Sequence, residues 1–276
     1  MRWTAWIGVL FLAATAFAAP PDAHPFRVRI QSDLKITASG SEQNVAAETE
    51  LHYAWTRSGS EKLLSFSSLQ VKLKADGEVA LDSFLSRSQM RNITPAGKTE
   101  VAFEKAPPAA QEILRDTFGP PLCRIEIDAK QGTELGRKIV AGPGAKSSIE
   151  NGMIENALLF HPPYFADRDS WQIERRFSMG AGGYADGTLT YTKSADEPNV
   201  FVIRGELTNP LFQPAAGQGV KDAKYVVNGK QIFDAERRAW SVGEMTADVS
   251  FTILEGEEPA GSAAGVIRLE FERTTK

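Results

Sequence analysis

From residue 26 onward, apolar side chains recur at every second position in run after run, and this two-residue period most limits what the chain can fold into. Phe26, Val28 and Ile30 alternate with polar neighbours, and so do Leu34 and Ile36. The pattern returns at Leu51, Tyr53 and Trp55, at Leu69, Val71 and Leu73, at Trp171 and Ile173, and through Val200–Leu207, Trp240–Glu244, Thr246–Leu254 and Val266–Glu272. Successive side chains of a strand point to opposite faces, so a period of two marks a strand with one face buried and the other wet. Asp76-Gly77 and Asn228-Gly229 sit between alternating runs, and Asp186-Gly187 turns or enters Thr188–Thr192. Such pairs fit tight type I′ turns, whose two central residues need positive φ. The Pro/Gly/Gln-rich stretch Pro210–Gly219 reads as a loop. Short connections of these kinds force antiparallel neighbours.

Two stretches break the period. Proline at the start of Pro107–Pro120, Ile113, Leu114 and Phe118 on one face, and Gly119-Pro120 at the end predict a short amphipathic helix. In Ser147–Leu159, spacings of three and four between Ile149, Met153, Ile154, Ala157 and Leu158 predict a second helix with Gly152 in its middle. Between them lie a strand over Cys123–Asp128, a turn at Lys130–Gly132 and a weaker strand around Leu135–Val140. Alternating βαβ units are absent from the sequence, which argues against doubly wound and TIM-type folds. The expected architecture is α+β: a large curved antiparallel β-sheet or open half-barrel of about twelve to fourteen strands, with about two short helices packed against its concave side. Leu158–Thr192 reads as the joint of this design. Pro162-Pro163 stops the second helix, Asp169-Ser170 turns the chain, and Trp171 anchors the first strand of the back half.

The opening residues MRWTAWIGVLFLAATAFA carry Arg2, an apolar core from Trp6 to Ala14 and the small-residue site Ala16-Phe17-Ala18, the layout of a secretory signal cleaved near Ala18. The apolar core is far short of the ~20 residues a spanning helix needs. The expected organisation is a signal at 1–18, a flexible tether at 19–25 and a single β-rich domain at 26–276, with both helices in the front half (26–160) and hairpins in the back half (161–276). The product would be exported to the periplasm or medium, with no stable membrane insertion. A formal charge of -4, with Lys and Arg scattered, offers no footprint for nucleic acid. The single cysteine, Cys123, excludes an internal disulfide framework and sits in an alternating strand as a small buried residue.

Candidate chemistry is sparse. His24 lies in the tether, His52 faces away from Leu51 and Tyr53, and His161 precedes two prolines, so no ligand spacing for zinc arises. No Gly-x-Ser-x-Gly elbow occurs; Ser39-Gly40-Ser41 and Ser58-Gly59-Ser60 read as small turns. Gly142-Pro143-Gly144-Ala145-Lys146-Ser147 lacks the glycine spacing of a phosphate loop. Asp167-Arg168-Asp169 lacks the calcium-loop pattern and reads as a solvated corner. Glu100, Glu104, Glu126 and Asp128 sit on strands, where solvent-facing acids also sit. Trp55, Trp171 and Trp240, with Phe66, Phe103, Phe177, Phe201, Phe251 and Phe271, fit the core of a curved sheet or the lining of an apolar cavity. No catalytic, cofactor-binding or metal-ligating residue is assigned, and no cofactor is expected.

Pro162-Pro163 leading into Asp169-Ser170-Trp171, and Gly229 followed by Phe233-Asp234 before Trp240, resemble uncharacterised secreted bacterial proteins of the domain-of-unknown-function kind. In those a Gly-Asp-x-Trp-like strand start and a Gly-x-x-x-Phe-Asp turn recur; Arg168 stands here where the glycine of that strand start would be. The resemblance spans most of Phe26–Lys276 and implies no activity. The expected architecture also resembles the bacterial lipoprotein-carrier fold, a curved sheet around helices and an apolar cavity. Three readings follow: a non-enzymatic exported protein holding a lipid or other apolar or amphipathic molecule, an envelope structural module that contacts a protein, and a hydrolase with an unrecognised acid pair or serine.

Overall fold

The computed structural model describes residues 23–38, 40–127, 134–140, 152–180, 183–215 and 217–274. Asp76 and Gly77 adopt φ of 49° and 86°, the pair of positive values that a type I′ turn requires, and the strands on either side fold back on each other. Hairpins of this kind build two meanders. The first runs through β1 (Ala23–Ala38), β2 (Ser41–Ser58), β3 (Glu61–Ala75), β4 (Glu78–Ser86), β5 (Gln89–Thr94) and β6 (Gly97–Ala102). The second runs through β9 (Ser170–Gly180), β10 (Gly183–Lys193), β11 (Val200–Ala215), β12 (Gln218–Asp234), β13 (Ala239–Glu255) and β14 (Glu258–Arg273). β1 pairs with β2 on one side and β14 on the other, so the two ends of the chain form the seam between the meanders. Of the remaining strands, β7 (Pro121–Ile127) continues the edge of β3 where β4 leaves it, and β8 (Glu134–Ile139) pairs with β7. The result is one 14-stranded antiparallel sheet, not closed into a barrel, with β6 and β9 at the ends of its main path.

Helix α1 (Pro108–Thr117) begins with proline at its first position, buries Ala110, Leu114 and Thr117, and ends before Gly119 at φ 110°. Helix α2 covers only Met153–Leu159. Gly152, expected within it, instead precedes it in the left-handed conformation at φ 68°, so the glycine starts the helix rather than weakening it. The expected start at Ser147 and the turn at Lys130–Gly132 lie outside the described residues. Helix α2 packs mainly on β9 and reaches β2, spanning the concave side between the two meanders.

Three expectations about turns and ends fail for physical reasons. Asp186-Gly187 and Asn228-Gly229 lie inside β10 and β12 rather than at turns. A side chain at Gly187 would strike the backbone of Glu206, and one at Gly229 the backbone of Glu244. These glycines, with Gly205 between them, let neighbouring strands close on one another where the sheet curves. Pro210–Gly219 is not a loop, because β11 runs on to Ala215 and β12 starts at Gln218. Pro210, which has no N–H to give, falls between the pairs Asn209–Ala223 and Leu211–Lys221, where β12 bulges against β13 and Asp222 takes φ 54°. At the N-terminal side, Ala23–Pro25 of the expected tether already pair with Ala54–Thr56.

The two faces of the sheet differ as the alternation requires. The inner face holds one continuous core from Phe26, Tyr53 and Phe66 through Phe271 and Met245 to Phe201 and Trp171. The outer face over β1, β2 and β14 is charged. Arg27 bonds Glu272 at 2.7 Å and Arg29 bonds Glu50 at 3.2 Å, with Glu48 and Glu270 at the rim of the same cluster.

Candidate functional site

The concave face is unequal along its length. One end is aromatic and closed. Phe160 stacks on Phe271 and His161 meets Phe26, Tyr53, Trp55 and Phe271 edge-on at ring-centroid distances of 4.9 to 5.8 Å. Beyond them Tyr164 stacks on Phe233 at 3.7 Å, and Trp171 stacks on Tyr191 at 5.8 Å. The segment after α2 is tied down as well. Trp240 Nε1 donates to the Pro162 carbonyl at 2.8 Å, and Gln231 donates to the Phe160 carbonyl. Under Leu159 the free volume among Phe177, Leu189, Tyr225 and Met245 is about 10 Å³, too little for any ligand.

Toward the hairpin ends at Gly40, Gly77 and Gly256 the same face changes character. There Ile36, Val45, Leu73, Phe251 and Ile253 project on the inner phase of their strands and are only half-buried. They are aliphatic for the most part, and among the described residues neither helix covers them.

At the edge of the sheet, α2 and β9 border a cleft of about 490 Å³ lined by Glu155, Leu158, Leu159, Glu174, Arg175, Arg176, Asp186, Gly187 and Thr188. Arg176 bonds Asp186 at 2.7 Å. Arg175 lies on the inner phase with Trp171, Ile173 and Phe177, and its Nε and Nη2 are buried with no hydrogen-bond partner among the described residues. Burial pushes the Tyr191 phenol above its usual value, while nearby Arg175 pulls it the other way. Between Tyr191 and Arg175 no hydrogen bond of ordinary geometry forms.

Each histidine has a local partner. His24 Nδ1 meets Arg273 at 2.6 Å, and His52 lies on the outer face with Nε2 2.7 Å from Glu50. Nε2 of His161 meets Tyr53 Oη at 2.9 Å. Although an edge of His161 still reaches solvent, its ring is enclosed by aromatics. Desolvation, then the charges of Lys62 and Arg175, hold its pKa well below the usual histidine range. Cys123 is fully buried beside Leu64. Among the described residues, no three His, Cys, Asp or Glu side chains gather as a metal site. Gly142–Ser147 and Asp128 lie outside the described residues.

The Asp167–Ser170 corner proves to be a strand anchor. Asp169 pairs with Lys193 at 3.1 Å, Ser170 meets Thr192 at 2.9 Å, and Arg168 stacks over Phe165. Arg175 was hidden in the sequence because Glu174-Arg175-Arg176 looks like an ordinary surface run. The signal that singles it out is phase: counting by two from Trp171 puts a cation on the buried face.

No protein-family model matches the chain, and no curated protein does. Among solved structures, lipovitellin, in a structure titled for its lipid–protein interactions, is 10% identical with a TM-score of 0.49; the alignment covers 93% of this chain and 25% of lipovitellin. The β domain of the Bordetella autotransporter BrkA is 9% identical with a TM-score of 0.24, covering 92% of this chain and 100% of that domain. OccK5 (OpdH) of Pseudomonas aeruginosa is 7% identical with a TM-score of 0.25, covering 92% of this chain and 99% of the other. These likenesses carry no function to this chain.

Proposed function

We propose that the protein is an exported, non-enzymatic binding protein whose curved sheet holds an apolar or amphipathic molecule on the open half of its concave face. The observation that carries this reading is the half-buried aliphatic wall formed by Ile36, Val45, Leu73, Phe251 and Ile253, continuous with a core that is otherwise filled. Contiguous apolar surface left partly exposed on a concave wall is where such ligands bind. Native mass spectrometry of protein purified from its host, together with titration of a fluorescent long-chain fatty acid, tests it. Co-purified lipid or saturable binding is expected; absence of both would sink the reading.

A second reading is supported by the edges of the sheet. β6 and β9 end its main path, and Leu211 near the β11–β12 hairpin is 52% exposed. An unpaired edge can accept a strand from another protein. In that reading the protein is an envelope interaction module, and affinity capture from periplasm would recover one stoichiometric partner that a proline placed in β9 abolishes.

A further inference from the structure

Arg175 is a half-buried guanidinium on the apolar phase of an edge strand, and among the described residues no hydrogen bond of ordinary geometry holds its Nε or Nη2. Its Nε and Nη2 are both buried without a partner, whereas Arg29 and Arg91, each with a lone buried Nε, use their other nitrogens in ion pairs. Buried N–H groups without acceptors carry a desolvation cost, and such groups cluster at binding sites. Directly across the ladder stands Gly187, so no cross-strand side chain shields the guanidinium from the cleft beside α2. The hydroxyl of Tyr191, on the same face two residues further along that neighbouring strand from Leu189, is buried too, close enough to Arg175 for the two to interact but without a hydrogen bond of ordinary geometry.

The carboxylates around the cleft do not serve Arg175. Asp186 is held by Arg176 at 2.7 Å on the outer side of the sheet, Glu174 points outward with Arg176, and Glu155 acts electrostatically on Arg176. The apolar surroundings say what kind of anion fits. Leu158 and Leu159 wall the cleft.

We propose that Arg175, assisted by the Tyr191 hydroxyl, binds the anionic headgroup, a carboxylate or a phosphate, of a single-chain amphiphile at the cleft beside α2. This rests on the ligand class proposed above and adds its polar end. A planar guanidinium with two free N–H groups suits either oxyanion, because both present paired acceptor oxygens.

The test is equilibrium binding of three fluorescent probes with the same long chain: the fatty acid, its methyl ester and the monoalkyl phosphate. Each is titrated into the wild-type protein, Arg175→Leu and Arg175→Lys. The wild type should bind an anionic probe more tightly than the ester. Arg175→Leu should lose roughly tenfold or more of that affinity, the range for a hydrogen bond to a charged group, and leave the ester unchanged. Arg175→Lys should keep the preference for charge, and it carries the test if Arg175→Leu fails to fold. The anion that loses more with leucine identifies the headgroup. Ester and acid binding equally in the wild type, or the acid binding equally in both variants, would overturn the headgroup assignment while leaving the apolar site standing. Failure of all three probes to bind the wild type would instead overturn the apolar reading, and this inference with it.

Discussion

The two ends of the concave face are made from the same strands yet filled in opposite ways. At the closed end, Phe26, Phe271, Phe160, Trp171, Tyr191, Phe201 and Trp240 interlock by stacked, tilted and edge-on contacts, and the chain from Phe160 to Phe165 is threaded among them. At the open end the inner residues are Ile36, Val45, Leu73 and Ile253, with no second layer described over them. Aromatic pairs add directional energy beyond the area they bury, whereas aliphatic walls adapt to whatever lies on them. The difference teaches a division of labour: one end holds the sheet in its curve, and the other, on the reading proposed above, is left for a ligand.

The largest effect should come from breaking the closed end. Trp171 is 5% exposed, stacks on Tyr191 and meets Phe201, Tyr164 and Phe165. Replacing it with alanine should cost ~3–5 kcal/mol in denaturant unfolding, the range for deleting a buried aromatic ring. If the variant kept its stability and lost a binding activity, Trp171 would belong to the ligand and the division would fall.

Some of this was legible beforehand and some was not, and the reason lies in what a dipeptide can encode. Asp76-Gly77 was readable because a hairpin turn is a local event. Gly187 and Gly229 carry the same dipeptide signature but answer a different demand, the close approach of a neighbouring strand, which only the folded sheet imposes. Strand phase was readable from the alternation, and with it the burial of Trp55, Trp171 and Trp240. What the alternation does not carry is which rows receive a second layer. That depends on where α2 and the Phe160–Phe165 segment cross the sheet, contacts such as Trp240 to Pro162 that span 78 positions of sequence. Arg175 was missed for a similar reason, since its isolation depends on Gly187 across the ladder.

A middle-sized effect should follow from pH at the closed end. His161 is held neutral by desolvation, so its folded pKa lies well below its value near 6.5 in the unfolded chain. Between those two values the unfolded state binds a proton that the folded state refuses, so stability is fully present above about pH 6.5 and falls as the pH drops, by up to about 1.4 kcal/mol per pH unit. Chemical denaturation from pH 7 to pH 5 should show that slope, and His161→Gln should flatten it. An equal slope in the variant would assign it to other groups.

The smallest effect on stability should come from the open end, and it sharpens the comparison most. Ile36 and Leu73 are half-buried, so exchanging either for serine removes only part of a side chain's worth of apolar burial, about 1 kcal/mol or less. The same exchange puts a hydroxyl on a wall that a ligand tail would touch, where it must be desolvated without a partner. Ile36→Ser and Leu73→Ser should therefore leave the melting transition nearly in place and weaken binding of the fluorescent fatty acid. The closed-end variant Trp171→Ala should do the reverse wherever the protein remains folded. Should the serine variants destabilise the protein as much as the loss of Trp171 does, the open wall would belong to the core, and the ligand would have to lie elsewhere.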